Sequence, residues 1–232
     1  MSGADKGRGL PALGSLFGQR PRAGAGQEVG VIDRPAPRAA EPIFPSKALK
    51  KFLAVLRQRE GPVILDVGAV VGSNITFLGE QGGCKIHVED LYADLDRHTR
   101  KSALEAFPAF LKTRLSHADG SVDGVLCWDL FDYLDPAAAT VLAGILTRAL
   151  RIDGALLGFF GTAASRDPRY VKYAIVDEAN LKYRPYPAAR GRVRVLQNRD
   201  IIKLFGGLRV SDSFLLKTNL REILFRKPGY LA

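Results

Sequence analysis

Apolar positions along this chain switch repeatedly between helical spacing and short continuous runs. Behind Ser46, a suitable N-cap, Leu49, Phe52, Leu53 and Leu56 recur at helical spacing, and Gly61-Pro62 stops the helix. The run VILDV at Val63–Val67 lacks alternation, as expected of a strand buried on both faces of a parallel sheet. Asn74–Gln81 reads as a short helix closed by Gly82-Gly83, and Lys85–Glu89 as a second strand. Leu91–Arg114 reads as mostly helical with Pro108 as a break, and Val122–Leu130 as a third strand. Asp135 and Pro136 fit the cap and first position of a helix reaching about Leu150, with Leu142, Ile145, Leu146 and Ala149 on its apolar stripe. After Asp153-Gly154, Ala155–Gly161 is a fourth strand. Strands alternating with helices of this length predict a doubly wound α/β fold with a mostly parallel sheet and right-handed crossovers.

The two ends of the chain depart from this rhythm. Residues 1–42 are rich in Gly, Ala, Pro and Arg and carry no period, which predicts a disordered tail. The folded domain is then 43–232, beginning near Pro45. Within it, 162–197 reads as an insertion or lid: Tyr170–Asp177 as an extra strand, Leu181–Val195 as a loop or β-excursion. Asn198 is placed to cap a helix to Phe205, and Leu208–Leu216 with Leu220–Arg226 predict a final antiparallel hairpin.

Composition narrows the class. The chain is 47% hydrophobic and 25% charged, as in globular proteins. No apolar run approaches the roughly 18 residues of a membrane span, so no membrane partner is expected. No apolar h-region follows the first basic residues, and the cytoplasm is the default location. Cys84 and Cys127 form no disulfide framework and no metal spacing, and His87, His98 and His117 share no spacing, so no metal is expected. The net charge is +10, and nearly all of the excess follows residue 164. Between 166 and 194, cations including Arg166, Lys172, Arg190, Arg192 and Arg194 interleave with Tyr170, Tyr173, Tyr183 and Tyr186. That pattern suits phosphate contact and base stacking, which makes nucleic acid a candidate partner; a solvated basic face is the alternative.

The loop after the first buried strand carries the candidate chemistry. Asp66 and Gly68 end the strand, and Gly72-Ser73-Asn74 opens the next helix. Ligands of open α/β sheets bind beyond the carboxyl ends of strands, and glycine there lets backbone approach the ligand. Glu89 ends the second strand about 20 residues further on, the place of a carboxylate that binds ribose hydroxyls. The dinucleotide pattern G-x-G-x-x-G fails at Val70 and Ser73. The pattern [DE]-x-G-x-G-x-G fits at Asp66, Gly68 and Gly72 and fails only at Val70. A glycine turn with no ligand is the remaining alternative.

Beyond the loop, ADGSVDGVLCWDLFDYLDPAAATVLAGILTRALRIDGALLGFF and the terminal GLRVSDSFLLKTNLREILFRK are informative together. With the loop, they resemble the class I S-adenosylmethionine-dependent methyltransferases, in particular the type 11 group, over about Ser46–Lys227. The resemblance implies a Rossmann-like fold and S-adenosylmethionine as cofactor. It implies that Asp66, Gly68, Gly72, Asn74 and Glu89 line the cofactor site, and that Trp128 and Asp129 flank the adenine or the methyl-transfer point. Asp132 and Tyr133 fall where such enzymes face substrate. Asp129 and Asp132 as first-turn acids, and Trp128 as core, are the plainer readings. Two departures stand out. Val70 replaces the middle glycine, and 96–115 reads as helix where the family has its third strand. The implied function is methyl transfer to a small or anionic substrate. The alternative is a non-catalytic binding module on the same fold, for RNA; a NAD-type oxidoreductase is disfavoured by Val70 and the terminal hairpin. No fixed catalytic signature is present. The 162–197 insert and the Ser46–Arg59 helix would form the substrate lid.

Overall fold

A computed structural model describes residues 41–81, 83–162 and 169–229. The predicted tail therefore lies almost wholly outside the described residues, as does Arg166. In the main sheet β2 (Val63–Asp66) pairs in parallel with the edge strand β3 (Lys85–Val88) on one side and with β4 (Val122–Trp128) on the other. Every residue of β4 is buried, and its run is apolar apart from Asp123, an acid paired with Arg59 and Arg151. β5 (Leu150–Gly161) continues the sheet in parallel. β9 (Leu220–Arg226) pairs antiparallel with β5, and β8 (Arg209–Leu215) antiparallel with β9. The strand order is β3-β2-β4-β5-β9-β8. This is the Rossmann-like, mostly parallel sheet with a C-terminal antiparallel hairpin that the sequence predicts.

Helices cover both faces. α3 (Leu91–Arg100), α4 (Phe107–Arg114), α5 (Pro136–Ala149) and α6 (Asn198–Leu204) contribute to one apolar cluster with Leu65, Val67, Val125 and Cys127. α1 (Lys47–Leu56) contributes to the other, with Ile64, Leu126 and Leu157. These strand residues alternate between the clusters, as a pleated sheet requires. α1 begins as expected: the Ser46 hydroxyl accepts from the Leu49 N–H at 3.1 Å. From across the fold, buried Glu222 of β9 accepts from the Ala48 N–H at 3.1 Å, an acid against a helix N-terminus. Gly124 of β4 lets α1 approach closely, since a Cβ there would lie 2.7 Å from Phe52 Cζ.

Three local expectations are corrected. Pro108 does not break a helix; it sits in the first turn of α4, where its missing N–H costs nothing. The break falls earlier, at Lys101–Ala103, with Ser102 at φ 52°. Asn198 is the first residue inside α6, and Gln197 holds the cap position without a side-chain bond. α2 (Gly72–Thr76) is only five residues and runs on as a π-helical turn over Phe77–Gln81. As read from sequence, 96–115 forms helix and turn, with no strand between β3 and β4.

A second sheet packs over the α1 side. β6 (Arg169–Asp177) and β7 (Asn180–Pro187) form an antiparallel hairpin, and β1 (Ile43–Pro45) adds to β7. Tyr173, Ile175 and Leu181 from this hairpin are buried in the α1 cluster. The hairpin is therefore built into the core.

Candidate functional site

The carboxyl ends of β2, β3 and β4 bring the predicted residues into one region, but not as free ligand groups. Asp66 is buried, and its Oδ1 accepts from the Gly68 N–H and from Trp128 Nε1, both at 2.8 Å. Burial pushes the Asp66 carboxyl up to about 6, against the pull of those two donors. Trp128 ends β4 with φ 49°, a left-handed backbone that is rare and strained for a bulky residue. That conformation turns the indole back over the loop. A Cβ on Gly68 would lie 2.2 Å from Trp128 Cδ1, so Gly68 is needed for the indole to sit there. On its other side the indole stacks on Tyr173 of β6, with centroids 5.3 Å apart and planes 3° from parallel. Phe159 meets it edge-on.

Asn74 binds the hairpin rather than open space. Its Nδ2 donates to the Tyr173 carbonyl at 2.8 Å, and its Oδ1 accepts from the Ile175 N–H at 2.7 Å. The side-chain amide thus serves as a strand partner for β6. Gly72 faces open space, and Val70 is 48% exposed at the loop tip. The Val70 N–H reaches Asp90 at 3.3 Å, and its carbonyl accepts from Lys172 Nζ at 3.4 Å.

Glu89 stands at the end of β3, as predicted, and is engaged. One carboxylate oxygen is hydrogen-bonded by Arg114, and the other lies 3.3 Å from His117 Nε2. Arg114 also reaches Asp94 at 3.3 Å. Neither Arg114 nor His117 is marked by any sequence spacing, and no sequence signal could have found them.

The second set of predicted residues is a buried charge cluster. Asp129 accepts from the Tyr92 hydroxyl at 2.6 Å and from Arg192 Nη2 at 2.8 Å. Tyr133 Oη stands 3.4 Å from Asp129 and donates to the Arg169 carbonyl at 2.9 Å. Asp132 Oδ2 accepts from the Gly161 N–H at 2.7 Å and lies 3.4 Å from Arg192 Nε. Its Oδ1 is buried with no partner among the described residues. Asp129 and Asp132 hold the cap position and the first turn of a short 3-10 helix over Leu130–Tyr133, as the plainer reading expects, but both carboxylates have zero exposure and share a buried counter-ion. Arg192 is the residue sequence reasoning misplaced: grouped with surface cations, it is turned inward as the counter-ion of both acids. Arg184 pairs with Glu41, and Lys172 lies over the Tyr186 ring.

Burial first, and then the neighbouring Asp129, push the Asp132 carboxyl up to about 7, against Arg192, the Gly161 N–H and Arg194. In the unfolded chain a carboxyl titrates near 4. Between about pH 4 and 7 the folded state therefore holds protons at Asp132 and Asp66 that the unfolded state has lost. Stability falls as pH rises through that window and levels above it. The unfolding free energy from urea titration is expected to be about 1–3 kcal/mol larger at pH 5.5 than at pH 7.5. A stability that rises steadily from 5.5 to 7.5 would contradict this.

A cavity of about 930 Å³, bounded by Asp153, Arg209 and Arg226, lies at the amino-terminal end of β5, away from the loop. Among the described residues no group of His, Cys, Asp and Glu could hold a metal ion.

No protein-family model matches the chain, and no curated protein matches it. Its solved structural neighbours include S-adenosylmethionine-dependent methyltransferases. One is the 1,6-didemethyltoxoflavin-N1-methyltransferase of Burkholderia thailandensis, with bound 1,6-didemethyltoxoflavin and S-adenosylhomocysteine; it is 15% identical over 79% of this chain and 80% of that one, at a TM-score of 0.47. A Listeria monocytogenes protein, provisionally named an S-adenosylmethionine-dependent methyltransferase, is 13% identical over 78% and 96%, at 0.49. A methyltransferase of that dependence from Aquifex aeolicus is 14% identical over 77% and 89%, at 0.44.

A nucleoside cofactor at such a loop needs approachable backbone and a free carboxylate on the neighbouring strand. In this arrangement the Trp128 ring covers Gly68, and Glu89 is held by Arg114 and His117. The residues stand where the cofactor would need them, but as arranged they do not accommodate it.

Proposed function

We propose that this chain binds S-adenosylmethionine across the carboxyl ends of β2 and β3 and acts as a methyltransferase on a small or anionic substrate. One observation carries the reading: Asp66, Gly68, Gly72 and Glu89 sit on a strand–loop–helix unit and its parallel neighbour, in register. Asp129, Asp132 and Tyr133 lie at the end of the next parallel strand, the place for a substrate beside such a cofactor. Cys84 and Cys127 are not joined in a disulfide, which suits a reducing cytoplasm. No helix among the described residues is long and apolar enough to cross a membrane.

Calorimetry with S-adenosylhomocysteine tests the reading. Glu89→Ala removes the carboxylate assigned to the ribose, and a charge-assisted hydrogen bond of about 1.5–3 kcal/mol corresponds to roughly a 10- to 100-fold rise in Kd. An unchanged Kd in Glu89→Ala would sink the assignment.

The filled loop favours one other reading, a non-catalytic module on this fold that binds RNA through the basic residues of 166–194. Absent S-adenosylhomocysteine binding, together with salt-dependent RNA binding weakened by Arg190→Ala, would replace the first reading with this one.

A further inference from the structure

The covering of Gly68 is made by the chain's own aromatic side chains. We propose that Trp128 and Tyr173 are a built-in occupant of the cofactor loop, and that Tyr173 sets the loop's affinity because it must withdraw before a ligand can enter. This rests on the S-adenosylmethionine reading above and adds to it a specific residue and a movement.

Three contacts define the occupant. The indole edge lies against Gly68 and shares Asp66 Oδ1 with the Gly68 N–H. The Tyr173 ring lies parallel to the indole and closes it in. Asn74, at the start of α2, clamps the backbone of β6 on both sides of Ala174, next to Tyr173. The loop, the end of β4 and β6 are thereby locked into one arrangement.

That arrangement also carries signs that it is not the only one. Trp128 holds a left-handed backbone conformation. The Tyr173 hydroxyl, the Asp132 Oδ1 and the Arg194 Nε are buried without partners among the described residues. Unmet polar groups of this kind favour a state that supplies them with water or ligand. Ile175 and Leu181 keep the hairpin in the core, so the movement is local. Tyr173 and Trp128 swing off Gly68, and Asn74 releases β6, while the hairpin stays docked.

When the competent state is only a fraction of the population, the apparent Kd is the intrinsic Kd divided by that fraction. Removing the Tyr173 ring raises the fraction. Tyr173→Ala is therefore expected to bind S-adenosylhomocysteine about tenfold more tightly than the wild type. Tyr173→Phe keeps the ring and loses only the unmet hydroxyl that favours the open state, so it should fold and bind no more tightly than the wild type. Trp128 is the only tryptophan in the chain, so intrinsic fluorescence reports on this one ring. In the full-length wild type, its emission should shift in proportion to ligand bound, with the same Kd as calorimetry.

Calorimetric binding with unchanged Trp128 emission would overturn the proposal and leave the cofactor assignment standing. So would a folded Tyr173→Ala that binds no more tightly than Tyr173→Phe. If Tyr173→Ala does not fold, the wild-type emission decides. No heat of binding in either the wild type or Tyr173→Ala at millimolar ligand would overturn this proposal and the cofactor reading together.

Discussion

Replacing Arg192 by alanine is expected to cost about 3–5 kcal/mol of stability, the usual effect of stripping a buried charge of its partner. Arg192 is the shared counter-ion of Asp129 and Asp132, and both acids have zero exposure. The Tyr92 hydroxyl and the Gly161 N–H would remain on the two carboxylates, but neither carries charge. Asp132 would respond by taking up a proton, which softens the loss at low pH. Urea titrations at pH 5.5 and 7.5 should show the larger deficit at 7.5. The neutral combination Asp129→Asn, Asp132→Asn and Arg192→Met should recover much of the stability, because a buried ionic group contributes little net energy against neutral side chains of similar size. A deficit within 1 kcal/mol at both pH values would mean that the cluster is wetter than its burial indicates.

Phe52→Ala should cost about 3–5 kcal/mol, the range for truncating a buried aromatic ring. Phe52 has zero exposure, and its ring lies on the bare backbone of Gly124. No side chain from β4 stands at that point to fill the space left behind. The contact also predicts a coupling. Gly124→Ala puts a Cβ 2.7 Å from Phe52 Cζ and should cost about 1–3 kcal/mol alone through overpacking. In the Phe52→Ala background the same change should cost little or be favourable, since the added methyl enters the cavity. Additive costs across that double-mutant cycle would contradict direct packing of α1 on β4.

These effects separate what the chain reveals in one dimension from what it does not. β2 and β4 are legible because strands buried on both faces leave short, mostly apolar runs without alternation. Ser46 and Asp135 are legible because each cap is a contact three residues long, Ser46 to the Leu49 N–H and Asp135 to the Ala138 N–H. The terminal hairpin is legible because two short runs, one with Val210, Phe214 and Leu215 and one with Leu220, Ile223, Leu224 and Phe225, flank a polar turn at Lys217-Thr218-Asn219. β1 is not, because three residues carry no period and its partners lie at 180–182. Nor is the state of the site. The placement of Asp66, Gly68 and Glu89 follows from local spacing. Their engagement by Trp128, Arg114 and His117 depends on the left-handed backbone at Trp128 and on side chains meeting from different elements. Arg192 shows the same limit. Its cationic neighbours suggested a surface stripe, whereas two acids about 60 residues earlier in the chain drew it inward.

If a cofactor loop survives beneath its own aromatic cover, the thermal midpoint of the full chain should rise with S-adenosylhomocysteine. A ligand that binds only the folded state adds about 2.7 kcal/mol at one hundred times its Kd. For a domain of this size that is a rise of roughly 5–10 °C, growing with the logarithm of ligand concentration. That rise is the predicted result; a midpoint unmoved by millimolar S-adenosylhomocysteine would contradict it.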